Sequence, residues 1–341
     1  MKVLSDKELT HLEQFFKLKQ HSLRKTMNNY LQKYYDQVIC TEKYVIAIGT
    51  IPIALVAHMD TVFKKLPEDI YYNKKKNVMW SPNGLGADDR AGVYAIVNIV
   101  KDGYRPTIIL TTDEECGGLG ASALANEIKT TPTELKYIIE LDRQGVNDCV
   151  FYYCENEDFQ KYVETFGFKT EYGTYTDICE ICPTWGVAGV NLSIGYKNEH
   201  TCSEILHIGN MFETIKKVKK MLDVAETSQS YEYVSSKWLE AYGWDPSFGI
   251  PYSTWKSWIT PQYKCDCCSK PQYEHELFVV YNEYTDSNVS ICADCLVEIS
   301  NLDWCDSCKQ PFIYKDENNV KKTICYKCER KANNENNSQR D

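Results

Sequence analysis

The sequence has no long apolar run. No stretch of its 341 residues approaches the roughly 18 apolar positions a membrane-spanning helix needs. The first ten residues, MKVLSDKELT, contain no apolar core of a secretory signal. The expectation is a cytoplasmic chain without membrane attachment. Positive charge is also short: 38 Lys and Arg against 48 Asp and Glu leave a formal net charge of −10, which argues against nucleic acid as a partner held by overall charge. Repeats are absent apart from a set of cysteine pairs near the C-terminal end. Residues 331–341, KANNENNSQRD, lack large apolar side chains and read as a disordered tail.

Apolar residues make up 43% of the chain, enough for one large domain and a smaller one. Residues 5–34 read as two amphipathic helices, with Ser5 placed to cap the first and Glu8 three positions later. From Tyr44 onward short apolar runs alternate with helical ones: YVIAIG, IPIALVA, AGVYAIVNIV, TIILTT, ASALANEI, YIIELD, CVFYYC, DFQKYVETF and GVNLSI. Such alternation predicts an α/β three-layer sandwich around a mixed, mostly parallel sheet, closed by a helix over 208–225. The reading divides the chain into a catalytic domain at 1–228, an aromatic-rich connector at 229–263, a cysteine-rich module at 264–330 and the tail.

Three motifs carry the chemistry: ALVAHMDTV, GLGADDRAGV and TTDEECGG, which hold His58, Asp60, Asp88, Asp89, Glu114 and Glu115. A two-metal hydrolase needs carboxylates and neutral imidazoles, with one carboxylate bridging the ions. Loops at the carboxyl ends of parallel strands are where an α/β sheet gathers such groups. His58 follows a strand-like run, and Asp60 can bond its other ring nitrogen and fix the tautomer. Asp88, in a glycine-rich loop before a helix, suits a bridge. Two adjacent carboxylates make sense if metal neutralises one of Glu114 and Glu115 and the other stays free as a base. Asp89 and Arg90 either join this chemistry or only shape the loop.

In these motifs, with ELD at 140–142 and HTCSE at 200–204, the chain resembles the di-zinc exopeptidase superfamily, peptidase T-like and related aminopeptidases in particular. The resemblance implies Asp88 as the bridge, His58 and Asp142 as ligands of one zinc (cobalt or manganese being alternatives), and Glu115 and His200 as ligands of the other. It also implies Glu114 as general base, Asp60 as support for His58, and a cis peptide between Asp88 and Asp89. His207 competes with His200, but LHIGN does not match the last-ligand motif. Asp177 resembles a TD element with a supporting role. Only 57 residues, 143–199, separate Asp142 from His200. Peptidase T-like relatives carry a lid domain in that interval, so this chain is expected to be lidless.

Nine of the 16 cysteines fall between Cys265 and Cys328. Cys265 and Cys268, Cys292 and Cys295, Cys305 and Cys308, and Cys325 and Cys328 form four C-x-x-C pairs, the spacing of two four-thiolate structural zinc sites. They pair either sequentially or as an interleaved cross-brace, and Cys267 could replace a neighbour. Bound zinc would supply such a segment's folding energy. Its balanced charge favours a protein partner or a structural role over nucleic acid. Cys179 and Cys182, a fifth pair near a strand-like segment, read as buried thiols; Cys116 either tunes access to the centre or packs in its loop.

The leading expectation is a zinc-dependent aminopeptidase acting on short peptides. Deacylation of N-acyl amino acids on the same centre is the second, and an inactive zinc-ribbon adaptor the third.

Overall fold

A computed structural model describes residues 2–235 and, beyond them, 263–267, 269, 271–272, 277–292, 295, 299, 302–307, 311–314 and 323–330. The connector from 236 to 262, the tail from 331, Cys268 and Cys308 lie outside the described residues. The chain forms two compact units, Met1–Pro251 and Tyr252–Asp341.

The first unit opens with α1 (Asp6–Lys17) and α2 (Gln20–Leu31). Ser5 and Glu8 close a capping box on α1, the Glu8 N–H donating to Ser5 Oγ and the Ser5 N–H to Glu8 Oε2 at 2.9 Å. There follow β1 (Val38–Cys40), β2 (Tyr44–Ala47), β3 (Ile51–His58), β4 (Tyr71–Asn73), β5 (Val78–Trp80), α3 (Ala87–Lys101), β6 (Pro106–Thr111), α4 (Leu119–Glu127) and β7 (Tyr137–Arg143). The unit continues with β8 (Asp148–Val150), α5 (Glu157–Glu164), β9 (Lys169–Thr170), α6 (Ile178–Trp185), β10 (Gly189–Ser193), β11 (Tyr196–Lys197), β12 (Ile205–His207) and α7 (Ile208–Asp223).

The main sheet runs β1-β2-β6-β3-β7-β10-β8-β9. Its centre, β6-β3-β7-β10, is parallel; antiparallel pairings β1–β2, β2–β6 and β10–β8 flank it. Strand alternation sends Leu55, Ala57, Ile108, Leu110 and Ile139 into one core with Leu12 and Phe16 of α1, Ile96 of α3 and Val218 of α7. Their neighbours Ala54, Val56, Ile109 and Ile138 enter a second core with Leu124 of α4 and Ile181 of α6. Both faces are covered, which is why the central strands read as continuous apolar runs. This is the expected three-layer α/β sandwich.

Residues 143–199 add β8, β9 and β10 to this sheet, contribute α5, α6 and the short strand β11, and contain no inserted lid. A second, antiparallel sheet, β11-β12-β5-β4, was not foreseen. Nor was α6. Its buried residues Ile178, Ile181, Cys182 and Trp185 follow the i, i+3, i+4, i+7 pattern of a helix, not the strand first read around Cys179. The beginning of the expected connector packs on this unit: Tyr231 is buried against Tyr137 and Phe159, and its backbone bonds Lys136 and Ala188. No described helix is long and apolar enough to cross a membrane.

The second unit contains β13 (Tyr263–Lys264), β14 (Pro271–Gln272), β15 (Leu277–Asn282), β16 (Ser287–Cys292), β17 (Leu302–Trp304) and β18 (Pro311–Ile313). Four of them form the sheet β16-β15-β18-β17. Its two small cores contain cysteines: Cys265, Cys292 and Cys295 with Val280, Ile291 and Ile313, and Cys305 and Cys325 with Tyr281 and Phe312.

Candidate active site

Three adjacent parallel strands deliver most of the site. His58 ends β3, Asp142 is the penultimate residue of β7, and Glu114 and Glu115 follow β6 by a short turn. Asp88 stands at the start of α3, where the backbone leaves helical geometry and the Asp88–Asp89 peptide is cis. His200 comes from the loop between β11 and β12.

The two oxygens of Asp88 are divided between two histidines. Oδ1 lies 3.1 Å from His58 Nε2 and Oδ2 lies 3.2 Å from His200 Nε2. The same nitrogen of each imidazole meets a second carboxylate, Asp142 Oδ1 at 3.5 Å from His58 Nε2 and Glu115 Oε2 at 2.9 Å from His200 Nε2. Two three-donor groups result, His58/Asp88/Asp142 and Asp88/Glu115/His200, sharing one aspartate. Donor atoms around a tetrahedral zinc with bonds of about 2.0–2.2 Å stand roughly 3.3–3.6 Å apart, close to these separations. Glu115 Oε1 is buried without a hydrogen-bond partner, an orphan that a cation would satisfy. The donor set therefore fits a pair of divalent cations. Glu114 joins a third group with His58 and Glu115, its Oε2 3.9 Å from His58 Nε2.

The inner donors are held from behind. Asp60 Oδ1 lies 3.1 Å from His58 Nδ1, and the Asp60 carboxylate also accepts the backbone N–H groups of Glu114 at 3.1 Å and Glu115 at 3.0 Å. One side chain thus orients the imidazole and fixes the loop of paired glutamates. Asp142 Oδ2 accepts from Thr176 Oγ1 at 2.9 Å and Oδ1 from the Tyr196 hydroxyl at 3.0 Å, while Asn191 bonds its backbone on both sides. Thr176, Tyr196 and Asn191 had no signal in the sequence, because only the folded sheet brings β10, β11 and the loop before α6 to the end of β7.

Burial of so many acids shapes their titration. It pushes Glu114 well above the usual carboxylate range, with Glu115 adding and His58 opposing, and carries Glu115 to about 7 and Asp142 to about 6. Burial opposes charge on His58 and His200, but Asp142 and Asp60 outweigh it for the first, and Asp88 and Glu115 bring the second to about 12. The two histidines differ in setting: the His58 side chain is 1% exposed and that of His200 45%.

Other expected residues take other places. Asp89 is buried and accepts the backbone N–H groups of His58 and Gly92, and Arg90 is buried and donates to the carbonyls of Phe15, Phe16 and Leu18 at the end of α1. Both shape the loop. Asp177 is buried at the N-cap of α6 and accepts from Thr111 Oγ1. His207, at the N-cap of α7, joins none of the donor groups among the described residues. Cys116 is exposed. Cys179 and Cys182 line a small cavity with Cys154, and burial pushes both thiols well above their ordinary range.

In the second unit the sulfurs of Cys265, Cys292 and Cys295 lie within 4.8 Å of one another, as do those of Cys305, Cys325 and Cys328. The Cys292 N–H donates to Cys265 Sγ and the Cys325 N–H to Cys305 Sγ, each at 3.3 Å. These groupings follow the order of the sequence.

The fold has solved counterparts. A tripeptidase from Staphylococcus aureus subsp. aureus Mu50 aligns with a TM-score of 0.54 at 13% identity, over 66% of this chain and 100% of that one. Aminopeptidase PepT from Bacillus cereus ATCC 10987 gives 0.52 at 15% identity, over 66% and 99%. A TET aminopeptidase from the marine sediment archaeon Thaumarchaeota archaeon SCGC AB-539-E09 gives 0.51 at 13% identity, over 64% and 97%. The likeness is one of fold: the chain has an aminopeptidase-like α/β architecture. No family model and no curated protein matches the sequence.

Proposed function

We propose that the first unit is a two-metal peptide hydrolase, an aminopeptidase acting on short peptides, with zinc as its metal and cobalt or manganese as substitutes. The observation that carries this is the division of the Asp88 oxygens between His58 and His200, each backed by a further carboxylate. His58, Asp88 and Asp142 would hold one cation, and Asp88, Glu115 and His200 the other. When bound, such a pair lowers the pKa of a water toward about 7 and polarises a carbonyl. Glu114, not needed by either three-donor group, takes the proton from the attacking water as the C–O bond forms. It returns that proton to the leaving amine nitrogen as the C–N bond breaks. Asp60 keeps both His58 and Glu114 in place.

In the second unit the sequential cysteine groups support two structural zinc sites, with Cys268 and Cys308 as the fourth thiolates. Thiols kept for metal fit the reducing cytoplasm, and a protein is the partner that suits the module's balanced charge.

Assaying free-amine peptides, N-blocked peptides and N-acyl amino acids side by side, with metal quantified in the same preparation, tests the reading. Turnover confined to free-amine peptides, with about four zinc ions per chain, is the expected result. Turnover of acyl amino acids instead would make it a deacylase, and no turnover with zinc only in the cysteine module would leave an adaptor.

A further inference from the structure

Glu204, four residues after His200, is fully buried and belongs to none of the donor groups. Its Oε2 accepts the backbone N–H groups of Leu85 at 3.1 Å, Gly86 at 2.5 Å and Ala87 at 3.1 Å, and its Oε1 accepts that of Asp88 at 3.1 Å. Four consecutive amides therefore converge on one carboxylate. Gly86 makes this possible: at φ 71 it turns the chain through the left-handed region, so that amides before and after it face the same point. The last two of the four belong to the first turn of α3, whose N–H groups have no acceptor within the helix. Glu204 itself is tied to the His200 loop, its N–H donating to the Thr201 carbonyl at 3.0 Å. Residues 199–203 of that loop are exposed or half-buried, Glu199 Oε1 accepts from Gln144 Nε2 at 2.5 Å, and His200 adopts φ 61.

We infer that Glu204 is a positioning residue, an internal clasp that joins the loop carrying Asp88 to the loop carrying His200 and sets their geometry before any cation arrives. The inference rests on the two-metal reading of the site for its consequence, but the clasp is a property of the metal-free chain. A carboxylate has acceptor capacity for all four amides. A glutamine at the same place presents an NH2 group to at least one of them and loosens the pair of loops. Because Asp88 serves both donor groups, the loss is felt at both.

The test uses the full chain stripped of metal. Amide hydrogen exchange at residues 85–88 and zinc affinity by competition with a chromophoric chelator are measured for the wild type, Glu204→Gln and Glu204→Asp. Wild type should protect these amides without metal. Glu204→Gln should exchange them at least about tenfold faster and bind zinc at the catalytic centre about 10–100-fold more weakly. Its kcat should fall with KM little changed and its far-UV circular dichroism unaltered. Glu204→Asp, which keeps the charge one methylene short, should recover part of each loss. Unprotected amides in the metal-free wild type overturn the clasp, and this arm decides even if Glu204→Gln does not fold. A folded Glu204→Gln with unchanged protection and affinity overturns it equally. A wild type that hydrolyses no peptide sinks the hydrolase reading and leaves the exchange result to judge the clasp alone.

Discussion

In the first unit most donors of the candidate metal centre stand at or just after the ends of strands buried by two apolar layers, and side chains such as Asp60, Thr176 and Tyr196 hold them in position. In the second unit the grouped cysteines are themselves part of the core: Cys265, Cys292 and Cys295 belong to one small cluster, and Cys305 and Cys325 to another against which Cys328 packs. On the function proposed above, the first arrangement would place a site on a fold that stands without it, while the second would make folding and metal binding one event. Carboxylates and imidazoles suit the former because they can be hydrogen-bonded in advance. Sulfurs gathered within 4.8 Å of one another suit the latter because one cation could bind them together.

The strongest way to break this contrast is removal of metal. Structural zinc contributes about 10–16 kcal/mol of apparent folding energy in small thiolate modules at pH 7, so a chelator should make the second unit protease-sensitive. The first unit should stay folded yet lose peptide hydrolysis. Limited proteolysis with and without chelator reads both units at once, and joint melting of the two would end the contrast. Next in size is Glu114→Gln, expected to lower kcat by about 10²–10⁴-fold with catalytic metal content unchanged. Loss of metal together with activity would move Glu114 from base to ligand.

The third test is pH. His200 holds its proton to about 12 in the metal-free chain, and metal ligation requires the neutral ring. Zinc binding must therefore expel protons, and apparent affinity at the catalytic centre should rise with pH, about tenfold per unit for each proton displaced. Calorimetry in buffers of different ionisation enthalpy counts those protons, and none released would contradict the assigned donors. Asp60→Asn should weaken zinc at the His58 position by about 10–100-fold and leave the cysteine sites untouched, as metal titration would show. Smallest of all, Ser5→Ala removes the cap of α1 and should cost the first unit about 1 kcal/mol. That cost should be equal with and without chelator in thermal melts, because packing and not metal stabilises α1.

What was legible in the sequence was local or periodic. Ser5 and Glu8 announce the start of α1 by a spacing that backbone geometry imposes, and IPIALVA followed by His58 places a histidine at a strand end whatever surrounds it. The fold class follows from the order of such runs. Residues that act across the sheet were not legible. Thr176 and Tyr196 meet Asp142 only when the strands pair, and Glu204 stood beside His200 in HTCSE without showing that its partners are four amides over a hundred residues earlier. Helix α6 was misread because its apolar residues are dense enough to resemble a strand, although Ile178, Ile181, Cys182 and Trp185 mark one helical face.

The placement of His58 and Asp142 at the ends of β3 and β7, and of the glutamate pair just after β6, makes the hydrogen-bond ladder a ruler. Each strand residue advances about 3.3 Å, whereas a metal bond tolerates a few tenths of an ångström. A one-residue slip of β3 would turn His58 to the opposite face and carry it more than ten times that tolerance away, leaving every apolar contact chemically plausible. Insertions within these three strands are therefore intolerable to the centre, while insertions in the loops at the opposite, amino-terminal edge of the sheet leave its spacing unaltered.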